Sequence, residues 1–126
     1  MNKPLALLLL TACSQVALAA EAFTSPLPEL PPNREVAVVE IAVPPGGGTG
    51  SPIHRHDAYV YVYVVEGTLE LQLEGGDVHR VATGQVFIEE PDDVHVLTRN
   101  VSDTEPARFV AFMIKEAGAP LSTPVE

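Results

Sequence analysis

"SPIHRHDAYVYVYVVEG", residues 51–67, places two histidines one residue apart and runs straight into a valine–tyrosine alternation. In a β-strand, residues two apart point to the same face. One face of this segment therefore reads His54, His56, Ala58, Val60, Val62 and Val64, and the other Arg55, Asp57, Tyr59, Tyr61, Tyr63 and Val65. The first face passes from imidazoles to small apolar side chains, as a β interior does. The second carries large apolar bodies with polar tips, which suits a second sheet or a subunit interface. On a regular strand the Cα atoms of His54 and His56 would stand about 6.6 Å apart, twice the strand rise. Two imidazoles at that spacing can close on one ion at about 2.0–2.1 Å per bond. A bare His-x-His is more often incidental than metal-binding, so the weight of the motif rests on its surroundings.

Outward from this stretch the chain has the same texture. "EVAVVEIAV" (35–43) reads as a strand ended by Pro44-Pro45, and "GGGTGSP" (46–52) as a loop. Residues 53–65 read as one long strand, turned by Glu66-Gly67. "TLELQLE" (68–74) alternates throughout and is followed by Gly75-Gly76-Asp77. "VHRVAT" (78–83), "QVFIE" (85–89), "VHVLTR" (94–99) and "ARFVAFMIKE" (107–116) complete the set. No helical period of 3.6 runs for ten residues past the N-terminal segment. Many short strands separated by turn residues predict an all-β sandwich or barrel. At 126 residues the chain is long enough for one domain.

The N-terminal segment stands apart. "MNKPLALLLLTACSQVALAAEAF" has a basic Lys3, an apolar run from Leu5 to Leu10 and a small-residue end at Ala17-Leu18-Ala19. That is the layout of a secretory signal peptide, with cleavage expected after Ala19. The apolar run is shorter than the roughly 20 residues that span a bilayer. An alternative is a lipoprotein: Leu10-Thr11-Ala12-Cys13 resembles a lipobox, and only lipidation at Cys13 would bring a membrane into play. Cys13 is the only cysteine, so cleavage after Ala19 leaves an exported domain without a disulfide. Residues 20–34 are proline-rich without a period and read as an extended arm, 35–116 as the domain, and 117–126 as a flexible tail.

The charge is acidic, −10 over the whole chain; removal of the leader takes away Lys3 and leaves six basic against seventeen acidic side chains, a net of −11. Nucleic acid is excluded as an expected partner, because phosphate binding needs clustered Lys and Arg. Like charge suits a soluble protein.

Spacing across the domain resembles the cupin superfamily of small β-barrels. The family's first motif is Gly, five residues, His-x-His, three or four residues, Glu, six residues, Gly, matched by Gly48, His54, His56 and Gly67. The second is Gly, five residues, Pro-x-Gly, two residues, His, three residues, Asn, matched by Gly84 and His95. The resemblance covers about residues 35–115 and implies a double-stranded β-helix, or jelly-roll, barrel. It also implies His54, His56 and His95 as ligands of one divalent transition metal (Mn, Fe, Ni or Zn). The departures are specific. Val60 occupies the first-motif Glu position, and Glu90, Asp92 and Arg99 occupy the second-motif Pro, Gly and Asn positions, with Asn100 adjacent.

The usual carboxylate is thus missing. Either the site has three histidines, or a carboxylate arrives from another strand. Glu89 is the candidate: it precedes the motif-two Pro position, where cupins usually carry an inward apolar side chain. An inward Glu89 would be a fourth ligand, orient one, or act as the catalytic general base. An outward Glu89 would only end its strand in solvent ahead of "EPDD". His79, in a hairpin segment, reads as a surface histidine. Small cupins include dioxygenases, isomerases, decarboxylases and binding modules, and the fold does not choose among them. Two readings follow: a metal-dependent enzyme, of oxygenase or isomerase type, acting on a small organic molecule, or a non-catalytic small-molecule or metal-binding module of the cell envelope. Exposed strand edges and the Tyr59–Tyr61–Tyr63 face predict a homodimer.

Overall fold

The computed structural model describes residues 19–126. The leader, with Cys13 and its alternative lipidation, falls on residues 1–18 and lies outside the described residues. Nine strands follow in order: β1 (Arg34–Val43), β2 (His54–Arg55), β3 (Ala58–Glu66), β4 (Thr68–Leu73), β5 (His79–Ala82), β6 (Val86–Glu89), β7 (Val94–Asn100), β8 (Ala107–Glu116) and β9 (Thr123–Pro124). The alternation along β3 is realised as expected: Ala58, Val60, Val62 and Val64 are buried while Tyr59, Tyr61 and Tyr63 are half-buried. The inward set joins Val43, Leu69, Leu71, Phe109 and Met113 in one core. Each such aliphatic side chain contributes about 1.5–3 kcal/mol on full burial.

The closed barrel expected from the sequence does not form. The strands make two open sheets, one of four strands in the order β1-β8-β3-β6 and one of five in the order β5-β4-β7-β2-β9. Among the described residues no strand of one sheet pairs with a strand of the other. The reason is visible where the chain changes sheets. The long strand read over 53–65 breaks at His56-Asp57, so that β2 joins the five-stranded sheet and β3 the four-stranded one. Gly84, at φ 85°, separates β5 and β6 in the same way. The crossings are made by bends, which end a ladder and do not carry it round a corner. The result is an all-β double-stranded β-helix of two facing, unclosed sheets.

Two polar devices hold the loops. Asn100, 2 % exposed, donates through Nδ2 to the carbonyls of Glu105 at 2.7 Å and of Val43 and Pro44 at 3.3 Å, and its Oδ1 accepts from Ser102 N at 3.0 Å. It thereby ties the end of β1 to the β7–β8 connection. Glu70, on β4, accepts from Arg99 on β7 and from Arg80 on β5, bridging three strands.

The guanidinium groups of Arg99 and Arg80 hold the Glu70 carboxyl below the usual carboxylate range. Its folded pKa therefore lies below the unfolded value near 4.3. The stabilisation is complete above about pH 4.3 and is lost as pH falls through the depressed folded value. Glu70→Gln is expected to lower the melting temperature at neutral pH, with the gap closing in acid. Calorimetry across a pH series checks this, and a gap of constant size would count against it.

The C-terminal segment, expected to be a flexible tail, adds an edge strand. β9 pairs antiparallel with β2, with Thr123 opposite Arg55 and Pro124 opposite His54. Residues 19–31 form neither strand nor helix, and the Phe23 ring lies 6.1 Å from that of Tyr61 on the outer face of the four-stranded sheet.

Candidate metal centre

Strand register assembles the site. The β2–β7 pairing sets His54 directly opposite His95, and their rings stack with centroids 5.2 Å apart. His56, at the bend after β2, meets His54 edge-on at 4.8 Å. The nearest ligand atoms of the three histidines all fall within 4.8 Å of one another. The β3–β6 pairing sets Glu89 opposite Val60. A carboxylate therefore stands across the ladder from the valine that occupies position 60. Glu89 points inward and is 2 % exposed.

The backbone fixes the histidines. A carbonyl can only accept, so His54 Nδ1 donates to Pro52 O at 2.8 Å and His56 Nδ1 donates to Leu121 O at 2.6 Å. Both rings are thereby held with Nε2 unprotonated, the nitrogen that could ligate, an arrangement typical of metal-binding imidazoles. His95 faces acceptors on both sides: Glu89 Oε1 at 2.9 Å from Nδ1, and Leu97 O at 2.7 Å from Nε2, with Thr98 Oγ1 also at 2.7 Å. Burial works against a charge on His95, but the Glu89 carboxylate and the Leu97 carbonyl outweigh it and hold the imidazole above its ordinary pKa. Burial pulls His56 down, against the Leu121 hydrogen bond and the charge of Glu89.

Among the described residues, one buried side-chain polar atom has no partner. Glu89 Oε2 is buried without a hydrogen bond, and its nearest cationic candidate, His56 Nε2, is 3.5 Å away. Leaving a buried carboxylate oxygen unpaired costs more than leaving a neutral acceptor unpaired, and a cation at this point would remove that cost. Three imidazoles and a carboxylate are donors that suit Mn, Fe, Ni or Zn, and His95 would join them by giving up the proton that Nε2 now directs to Leu97 O. The residues therefore fit the group, and the His54–His56–His95 cluster can hold one divalent transition metal.

A cavity of about 200 Å³ opens beside the cluster. Its walls are Val39, Ile41, Val62, Phe109, Ala111 and Met113, and Thr49, Ser51 and Ser122 add hydroxyls. The loop bearing Gly48 passes so close to β7 that a Cβ there would lie 2.7 Å from Thr98 O. The motif glycine thus lets that loop approach the strand that carries His95. Asp92, in the second motif's Gly position, has φ 71° and keeps the left-handed turn that glycine would provide.

All four residues singled out in the sequence come together, and His79 stands exposed and apart. Sequence reasoning missed the carbonyls of Pro52 and Leu121 and the Thr98 hydroxyl. A backbone acceptor leaves no residue-type signature, and residues 117–126 have no period to place them.

A family model described as the Cupin domain matches residues 39–113. No curated protein matches the chain. Among solved structures, the DMSP lyase DddQ from Ruegeria pomeroyi superposes with a TM-score of 0.61 at 19 % identity, covering 71 % of this chain and 43 % of the lyase. The chain thus spans less than half of that enzyme. A conserved protein with a double-stranded β-helix domain from Klebsiella pneumoniae gives 0.58 at 25 % identity, covering 75 % of this chain and 79 % of the other. The polyketide cyclase RemF from Streptomyces resistomycificus gives 0.55 at 22 % identity, covering 75 % and 63 %.

Proposed function

The chain belongs to the cupin family, and from that premise we propose an exported metal-dependent enzyme that acts on a small organic molecule in the cavity beside His54, His56 and His95. The observation that carries this reading is Glu89 Oε2, a buried carboxylate oxygen with no partner, placed among three histidines at the cavity wall. A divalent transition metal bound there supplies Lewis acidity and, for iron or manganese, reactivity toward oxygen.

The chain's own residues do the rest. The apolar walls exclude water from the ligand. Among the described residues the cavity lining carries no Lys or Arg, so a charged group on the ligand would be met by the ion itself. Glu89 holds His95 through Oε1, and its unpaired Oε2, 3.5 Å from His56 Nε2, would face the ion's charge. Export rests on the leader pattern of residues 1–19, with anchoring at Cys13 as its variant.

Glu89→Gln keeps the side chain's size and removes its charge. The affinity for Mn, Fe, Ni or Zn is expected to fall about 10–100-fold, measured by calorimetry. Equal affinity in the variant would remove Glu89 from the site. A second reading, a non-catalytic binding module, is favoured by Val60 in the carboxylate position. Loaded protein incubated with a panel of small uncharged carbonyl and hydroxyl compounds separates the two. Product by mass spectrometry supports the enzyme, and saturable binding without product supports the module.

A homodimer through the outer face of the four-stranded sheet belongs to the same proposal. That face carries Tyr61, Tyr63, Val86, Val110 and Phe112, with Phe112 42 % exposed. Tyr61→Asp is expected to halve the mass seen by light scattering, and an unchanged mass would refute this interface.

A further inference from the structure

The two-residue strand β2 carries His54 and has neighbours on both sides, β7 and β9. The β9 side is extended by Val125 N donating to Ile53 O at 2.9 Å. Without β9, the His54 strand would be a free edge of two residues. The same C-terminal stretch reaches further into the site. Leu121 O is the acceptor that holds His56 Nδ1 at 2.6 Å, across 65 residues of sequence, and Leu121 and Ser122 line the cavity beside Thr49 and Ser51.

We infer that residues 119–126 are a working part of the metal centre: a strap whose Leu121 carbonyl fixes the His56 tautomer and whose strand braces His54. Leu121 is a positioning residue acting through His56. The physical logic is that of any ligating imidazole. The nitrogen turned to the metal must be unprotonated, and a fixed acceptor on the other nitrogen keeps it so and orients the ring. The acceptor is a main-chain atom, so side-chain replacement at position 121 leaves it in place while removal of the segment does not. The inference deepens the metal-site reading above and rests on it for its consequence, though not for its geometry.

The test uses the metal-free domain and Co(II) as probe. In the full chain, 15N-detected imidazole NMR is expected to show His56 protonated at Nδ1. A chain ending at Gly118 is expected to show tautomer averaging at His56 and a Co(II) dissociation constant raised about tenfold or more, read from the visible absorption of Co(II). Leu121→Ala is expected to keep both wild-type properties, because the carbonyl remains. A shortened chain that retains its amide spectrum, the Nδ1 tautomer and wild-type Co(II) affinity would overturn the inference. Should the shortened chain not fold, Val125→Pro, which removes the N–H that bonds Ile53 O and fixes φ at the end of β9, decides by the same two readouts. If the full chain takes up no Co(II), the metal reading fails, and the tautomer comparison still decides the strap.

Discussion

Replacing His54 and His56 together by alanine is expected to take metal content from about one ion per chain to background. The remaining donors are His95 and Glu89, already engaged with each other at 2.9 Å. An ion that prefers four ligands would find two, and would have to break that pair to use them. The loss should exceed the roughly 10–100-fold that follows from losing an outer hydrogen-bond partner alone. The metal-free fold should change little, because both side chains sit half-buried at the cavity and outside the hydrophobic cluster. Elemental analysis of untagged protein after incubation with Mn, Fe, Ni and Zn reads the result and identifies the metal. An ion retained at full stoichiometry by the double variant would sink the assignment of the site.

The largest expected loss of stability comes from Gly67→Ala. Gly67 turns β3 into β4 at φ 77°, and a Cβ there would lie 2.9 Å from Ala107 Cβ and 3.1 Å from its Cα. The left-handed backbone costs a non-glycine residue about 1–2 kcal/mol, and overpacking against β8 adds about 1–3 kcal/mol. A total of about 3 kcal/mol corresponds to a fall in melting temperature of roughly 10–20 °C for a domain of this size. Gly84→Ala is the matched control. Its φ is 85°, but nothing lies within 4 Å of the added carbon, so only the backbone cost of about 1–2 kcal/mol applies. Equal losses in the two variants would show that the contact with Ala107 yields.

Much of this was legible from residue order. The β3 alternation is a direct print of one face buried and one face open, and the two motif glycines that flank the first histidine pair stand where a Cβ would collide. The clustering of His54, His56 and His95 followed from their match to the cupin motifs, and of the two orientations open to Glu89 the inward one is realised. The departures have physical causes. Closure of a sheet depends on whether edges meet in space, and the bend at His56-Asp57 that prevents it looks like ordinary strand sequence. The asparagine beside the motif position proved to be the structural one: Asn100 turns inward to gather three carbonyls, while Arg99 faces out to Glu70. β9 was invisible because a strand of two residues, one of them proline, is recruited by its neighbour and not by its own propensity.

The openness of the two sheets gives the site a mechanical role. His54 and His95 belong to the five-stranded sheet and Glu89 to the four-stranded one. An ion shared by these residues would rivet together two layers that no backbone ladder joins. Such a rivet would do the work of a cross-link, one that sets and releases with the supply of metal.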